Sequence, residues 1–203
     1  MSEIFLPSAP RDPRAQRTQR ALEDALLAAL SEAQPWEAVT VKALATAAGV
    51  TRKTFYSHFP SLEALAAQCL CRVFGEVLPL YDASALALPW KPRALIEETL
   101  ACLGKQRQQL GPLLLNLPAH LPLKAAQDLA ETLLDRALKA NDLASLGTAP
   151  RTYLLAMIGG VVHGMLYSWA ERGFQDSPAI LAAIMDSAPS EGIEKILLTQ
   201  TKH

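Results

Sequence analysis

Apolar residues return along this chain at intervals of three and four, the spacing of a helix face, and nowhere in the alternation of a half-buried strand. Asp12-Pro13 supplies a capping acid followed by proline at the first helical position. The helix it starts is expected to run to about Ser31 with Leu22, Ala25, Leu26, Ala29 and Leu30 inward. Residues 1–11, which contain Pro7 and Pro10, read as an irregular arm, and Pro35-Trp36 closes the connection to the next element, Trp36 plugging the core beneath it. Val41, Leu44, Ala45 and Ala48 then mark one face of a short helix behind the N-cap Thr40. Gly49 follows where the chain must turn sharply, Val50 can plug the gap, and Thr51 can cap a second short helix. On that helix Phe55 and Phe59 fall within about 40° of each other and form its buried stripe.

Farther along, Ser61 can cap a helix reaching about Leu78 that is apolar on two sides. Leu62, Leu65, Ala66, Cys69, Val73 and Val77 form one stripe, and Leu70, Phe74 and Leu78 the other. Such a helix should contact two bodies, which suits a connector. After a proline-bearing loop from Pro79 to Pro92, a helix is expected over roughly Pro92–Leu110, broken by Gly111-Pro112. A short apolar turn over Leu113–Leu117 comes next, ended by Pro118. The next helix covers about Pro122–Ala140 with Ala126, Leu129, Ala130, Leu133, Ala137 and Leu138 inward. A helix over about Pro150–Arg172 has a different texture, since Met157, Gly160, Val161, Gly164 and Ser168 share one stripe with Gly159 beside them. Glycine costs up to about 1 kcal/mol against alanine inside a helix, so several on one side suit a close backbone approach. Ser177-Pro178 starts a further helix carrying Ile180, Leu181, Ile184 and Met185, and a short one around Ile193–Leu198 closes the chain.

Composition agrees with an all-α fold: half of the 203 residues are hydrophobic, dominated by alanine and leucine, and aromatics are 6%. Net charge announces no polyanionic partner by itself. Residues 1–60 carry seven Lys/Arg against six Asp/Glu, and the remainder twelve against fourteen. Local clusters matter more: Arg11, Arg14, Arg17 and Arg20 precede the helix pair, and Arg52 and Lys53 lie in it. Cys69, Cys71 and Cys102 are an odd set without framework spacing, which reads as free thiols in a reducing cytoplasm. The N-terminus lacks a signal-peptide pattern, and no apolar stretch of membrane-spanning length escapes interruption by Gly, His or charge; no membrane partner is expected.

The second short helix carries the main functional pattern. Lys53, Thr54 and Ser57 lie opposite its phenylalanines, Tyr56 to one side, Arg52 near the N-terminal end, and His58 nearer the buried side. This face has no acidic residue and offers donors for base edges and phosphates, as a recognition helix in a major groove requires. A helical hairpin with a merely solvated polar face is the bland alternative.

The run T-V-x-x-L-A-x-x-A-G-V (Thr40 to Val50) followed by T-R-x-T-F-Y-x-H-F (Thr51 to Phe59) resembles the DNA-binding segment of the TetR family of transcriptional regulators. One departure is visible. That family often carries Asp-Lys or Asn-Lys just after the final Phe, where this chain has Pro60, Ser61, Leu62 and Glu63. The resemblance implies an N-terminal helix-turn-helix head, residues 1–60, and a larger C-terminal helical domain, residues 61–203, that binds an effector and dimerises. Its DNA-facing set would be Thr40, Thr51, Arg52, Lys53, Thr54, Tyr56, Ser57 and His58. The last two long helices would pair with their copies in a second subunit through Met157, Gly160, Val161, Gly164, Ser168, Ile180, Leu181 and Ile184. A small, hydrophobic effector would lodge among Phe74, Trp90, Cys102, Leu114, His120, Met157 and His163.

The expected function is thus a homodimeric, ligand-responsive regulator of double-stranded operator DNA, a repressor before an activator. A helical small-molecule-binding or protein-interaction module whose head does not read DNA stands as the alternative. No phosphate loop, zinc signature, calcium loop or nucleophile elbow occurs, and His58, His120, His163 and His203 lie far apart in sequence. Neither an enzyme, a cofactor nor a metal is expected.

Overall fold

The first helix, α1 (Pro13–Ser31), begins where Asp12 accepts a hydrogen bond from the Arg14 amide at 2.8 Å, with Pro13 in its first turn. The computed structural model describes residues 12–32, 35–89 and 92–187; the arm over residues 1–11, Trp90 and the expected helix near Ile193 lie outside them. Leu22, Leu26 and Leu30 of α1 are fully buried and seat it against two short helices, α2 (Val41–Ala47) and α3 (Arg52–His58). Trp36 is half-buried against the same core from a single 3₁₀ turn. Next comes α4 (Leu62–Gly75), capped by Ser61 through the Ala64 amide at 3.1 Å. Both of its apolar stripes are buried, one beside α1 and the other beside helices of the C-terminal half. One continuous core therefore runs from Leu22 to Ala182.

Beyond a 3₁₀ turn at Leu78–Leu80 follow α5 (Pro92–Lys105), α6 (Arg107–Leu115), α7 (His120–Ala140), α8 (Thr148–Glu171) and α9 (Pro178–Ser187). Among the described residues all regular structure is helical, with a three-helix head and a larger helical body. The break expected at Gly111-Pro112 falls instead at Gln106. Its backbone amide turns back to Leu103 O, and its own carbonyl opens α6 by accepting from the Leu110 amide. Pro112 stays inside α6, so the turn read over Leu113–Leu117 is mostly its last part. Gly111 is small where the Phe174 ring approaches, since a Cβ there would lie 3.3 Å from that ring.

Two polar contacts join the head to the body. Glu23, 3% exposed on α1, meets Arg72 of α4 at 2.9 Å and accepts from the Gln19 amide group at 3.0 Å. Asn116, just after α6, donates to Leu30 O near the end of α1 at 2.8 Å. That carbonyl belongs to the last turn of α1, where carbonyls lack the usual helical partners.

Helix α8 departs from the expectation about membrane length. By length and composition it is apolar enough to span a bilayer, glycines and His163 notwithstanding. It packs on α7 along one side and on α6, and much of its other side is uncovered.

Candidate nucleic-acid interface and effector cavity

The turn between α2 and α3 is built as its residues dictate. Thr40 caps α2 by accepting from the Ala43 amide at 3.2 Å. Gly49 adopts φ +67°, a left-handed conformation that costs glycine little, and the Val50 amide closes the turn on Ala45 O at 2.8 Å. Thr51 caps α3 through the Thr54 amide at 3.1 Å. Phe55 is fully buried and Phe59 6% exposed, their ring centroids 6.0 Å apart, so two large side chains pin this seven-residue helix to α1.

The opposite side of α3 faces outward. Arg52, Lys53 and Ser57 are exposed, Thr40 and Thr51 likewise, while Thr54 and His58 are half-buried. Tyr56 is half exposed and stands edge-on to the Phe55 ring, with centroids 5.4 Å apart and planes at 83°. Several hydroxyls are already occupied. Ser57 donates to Thr54 O at 2.7 Å, and Thr51 and Thr54 share a hydrogen bond of 2.9 Å. The Arg52 guanidinium, the Lys53 ammonium and the Tyr56 hydroxyl are consequently the groups best placed to donate outward. Arg14, Arg17 and Arg20 are exposed along the first turns of α1. Leu62, where the pattern often has lysine, is half-buried against the core and offers no phosphate a charge.

Residues 26–69 match the family model described as bacterial regulatory proteins, tetR family, a stretch that takes in the end of α1, all of α2 and α3 and half of α4. The chain carries a TetR-family DNA-binding head. Its helix-turn-helix is the DNA-binding element of that head. No curated protein matches the chain. A solved TetR transcriptional regulator from Rhodococcus sp. RHA1 superposes with TM-score 0.50 at 14% identity, over 84% of this chain and 95% of that one. The dihydroxyacetone kinase operon activator DhaS gives TM-score 0.47 at 16% identity, over 91% and 96%. At these identities the likeness concerns the fold.

In the helical body, two adjoining apolar cavities open between α4, α5, α7 and α8. Their empty volumes, mouths included, are about 600 and 720 Å³. Among the described residues expected at an effector site, Phe74 lines one of these cavities and the others do not. Leu114, 1% exposed on α6, is ordinary core. His120 is exposed at the start of α7, and Met157, 40% exposed, points away from the protomer. The Cys102 thiol is aimed at Glu76 O at 3.7 Å, outside both cavities, and Trp90 lies outside the described residues. His163 is half-buried on α8 beside Tyr167, with ring centroids 6.0 Å apart, and does not line the cavities; burial holds its imidazolium pKa below the ordinary value. Tyr81, Ile96 and Thr99 take their place. The signal for two of them was in the sequence, because Ile96, Thr99, Leu100 and Leu103 recur at helix-face spacing with one hydroxyl among them.

The thiols of Cys69 and Cys71 are not activated. Burial pushes Cys69 strongly upward, and burial together with the charge of Asp128 pushes Cys71 up to about 11.

An apolar face remains uncovered on α8 and α9. Tyr153, Met157, Ile180 and Ile184 are 75%, 40%, 55% and 56% exposed, with Gly160, Gly164 and Ser168 exposed among them and Val161 half-buried. Leu181 does not share this face: it is 5% exposed and turned into the core. Tyr153 was not anticipated, since it lies one turn before the small-residue stripe. Within one chain the close approach is made by Gly159. A Cβ on Gly159 would meet Gln127 of α7 at 2.4 Å, whereas one on Gly160 or Gly164 would meet nothing within 4 Å.

Proposed function

We propose that this regulator acts as a homodimeric, ligand-responsive repressor, with residues 1–60 as the reading head and residues 61–203 as the effector-binding and dimerising body. The observation that carries the reading is the acid-free outward face of α3, fixed by Phe55 and Phe59. Lys53 and Arg52 would reach base edges and adjacent phosphates, and Tyr56 the backbone, with Thr40, Thr51, Thr54, Ser57 and His58 around them. Two copies would place two such helices in successive major grooves, about one helical turn of DNA or a multiple apart. The uncovered face of α8 and α9 supports pairing, because contiguous exposed apolar side chains among small residues suit burial against a second copy. An effector lodged against α4 would bias the separation of the heads by binding one arrangement better than the other.

The test is a salt titration of binding to a promoter-proximal fragment, with the parent and a Lys53→Ala, Tyr56→Ala variant. The parent should lose affinity steeply as salt rises. The variant should bind at least tenfold more weakly with a shallower slope, and its sedimentation and melting should be unchanged. Equal binding by the variant would remove α3 from the interface. A parent that ignores the fragment at low salt would favour a helical ligand-binding module instead.

A further inference from the structure

The two cavities share a wall formed by Tyr81, Ile96, Ala130, Leu133 and Ile158, so they are neighbouring chambers of one site. Among the described residues no charged side chain lines either chamber. Apart from thioether sulfurs, the polar side-chain atoms among the lining residues are Tyr81 Oη and Thr99 Oγ1, which lie 2.8 Å apart. Their protons can be assigned. Thr99 Oγ1 also lies 2.8 Å from Leu95 O, a carbonyl that can only accept, so the single Thr99 proton goes there. Thr99 Oγ1 then accepts from Tyr81, and the Tyr81 proton is used as well. What the wall still offers a ligand is a lone pair on Tyr81 Oη. Among the described side chains the site offers an acceptor and no donor.

That polarity selects among apolar ligands. A carboxylate would be stripped of water with no side-chain cation or donor among the described lining residues to meet it, which is costly in so apolar a setting. A ketone or ester would bring an acceptor to an acceptor. A hydroxyl would donate to Tyr81 Oη, while its hydrocarbon part covers the aliphatic walls, which Phe74, Met165 and Met185 can adjust to fit. We propose that the paired chambers bind a neutral aliphatic alcohol, its hydroxyl donating to Tyr81 Oη and its chain lying along both chambers. This names the ligand class of the effector site and rests on the ligand-responsive reading given above only for its consequence on DNA.

The experiment measures binding by isothermal titration to the full-length protein without DNA. The probes are 1-octanol, 1-decanol, decan-2-one and sodium decanoate at pH 7.5. Affinity should rise about fourfold for each added methylene, the increment for burying one such group. Decan-2-one should bind about tenfold more weakly than 1-decanol, and decanoate at least a hundredfold more weakly. Tyr81→Phe should erase the preference for alcohol over ketone and leave the chain-length increment in place, a change that mere loosening of the fold would not produce. Ala130→Leu, which fills the shared wall, should abolish binding while the helical circular dichroism stays native. Decanoate binding as tightly as decanol, an unchanged preference in Tyr81→Phe, or no binding by any alcohol would each overturn the proposal. A separate operator-release assay keeps the two readings apart. Alcohol binding that leaves operator affinity unchanged defeats ligand response, while operator binding with no alcohol affinity defeats only the ligand class.

Discussion

Removing Arg72 is the sharpest test of how the head is held. Its partner Glu23 has a side chain only 4% exposed, and the other group bonded to that carboxylate is the Gln19 amide. An Arg72→Met substitution keeps the apolar stem but leaves a carboxylate inside the core without a counter-charge. Breaking a buried pair in this way costs about 3–5 kcal/mol. Arg72 itself is 37% exposed, so water already screens part of the attraction, and about 2–3 kcal/mol is the better expectation. For a chain of this length that lowers the melting midpoint by roughly 5–10 °C. Glu23→Gln should cost less, about 1 kcal/mol, because its amide can keep the Gln19 contact and the released guanidinium can turn to water. Replacing both, Glu23→Leu with Arg72→Met, should return to within about 1 kcal/mol of the parent, since no buried charge is stranded. Urea unfolding followed by circular dichroism at one fixed protein concentration measures all four proteins, the fixed concentration being needed if subunits associate. A double variant no more stable than Arg72→Met alone, or an Arg72→Met protein as stable as the parent, would refute the reasoning.

The glycines of α8 should respond in opposite senses. Gly159→Ala forces a methyl into Gln127 of α7 and should destabilise by about 1–3 kcal/mol in the same unfolding experiment. Gly160→Ala and Gly164→Ala meet nothing within the protomer, so a monomer should gain about 0.5–1 kcal/mol from helix propensity. Weakened self-association by sedimentation, in place of that gain, is the result expected if this face meets a second copy. His163 gives a pH signature. Burial lowers its folded pKa below the unfolded value, so the unfolded chain binds the extra proton first. The stability present above about pH 6.5, the ordinary histidine value, should decline as pH falls below it. Melting midpoints of the parent and His163→Gln across pH 5–8 should converge toward the acid end; parallel curves would dismiss the histidine.

Local rules made the head readable. Thr40, Gly49 and Thr51 each act within a few residues of themselves, and Phe55 and Phe59 repeat at one turn, so caps, turn and buried stripe could be placed from spacing alone. The body was harder because its decisive relations are long-range. Pro112 looked like a helix breaker, yet the break was set by Gln106, which bonds back to Leu103. Glu23 sits at helix spacing from Leu26 and Leu30, a position that looks wrong for a carboxylate until Arg72, far along the chain, is brought to it. In a sequence, aromatics, histidines and thiols stand out because their chemistry is conspicuous. The cavity wall is mostly aliphatic, and its one informative feature is the route of two protons through Tyr81 and Thr99, which spacing does not reveal. On α8 the difference between Gly159 and Gly160 is a rotation of one residue. Which of the two meets α7 depends on how α8 is turned against it.

The bond from Asn116 to Leu30 O has a bearing on transplantation. A fragment cut after α3 would expose Leu22, Leu26 and a bare carboxylate at Glu23, and would leave the last turn of α1 without one of its donors. Chimeras that graft this reading unit onto a foreign sensor should therefore carry α4 and the end of α6 with it, or expect an insoluble product. On the proposed reading, specificity would be exchanged through the outward side chains of α3, whereas the packing that seats α3 is shared with the rest of the molecule.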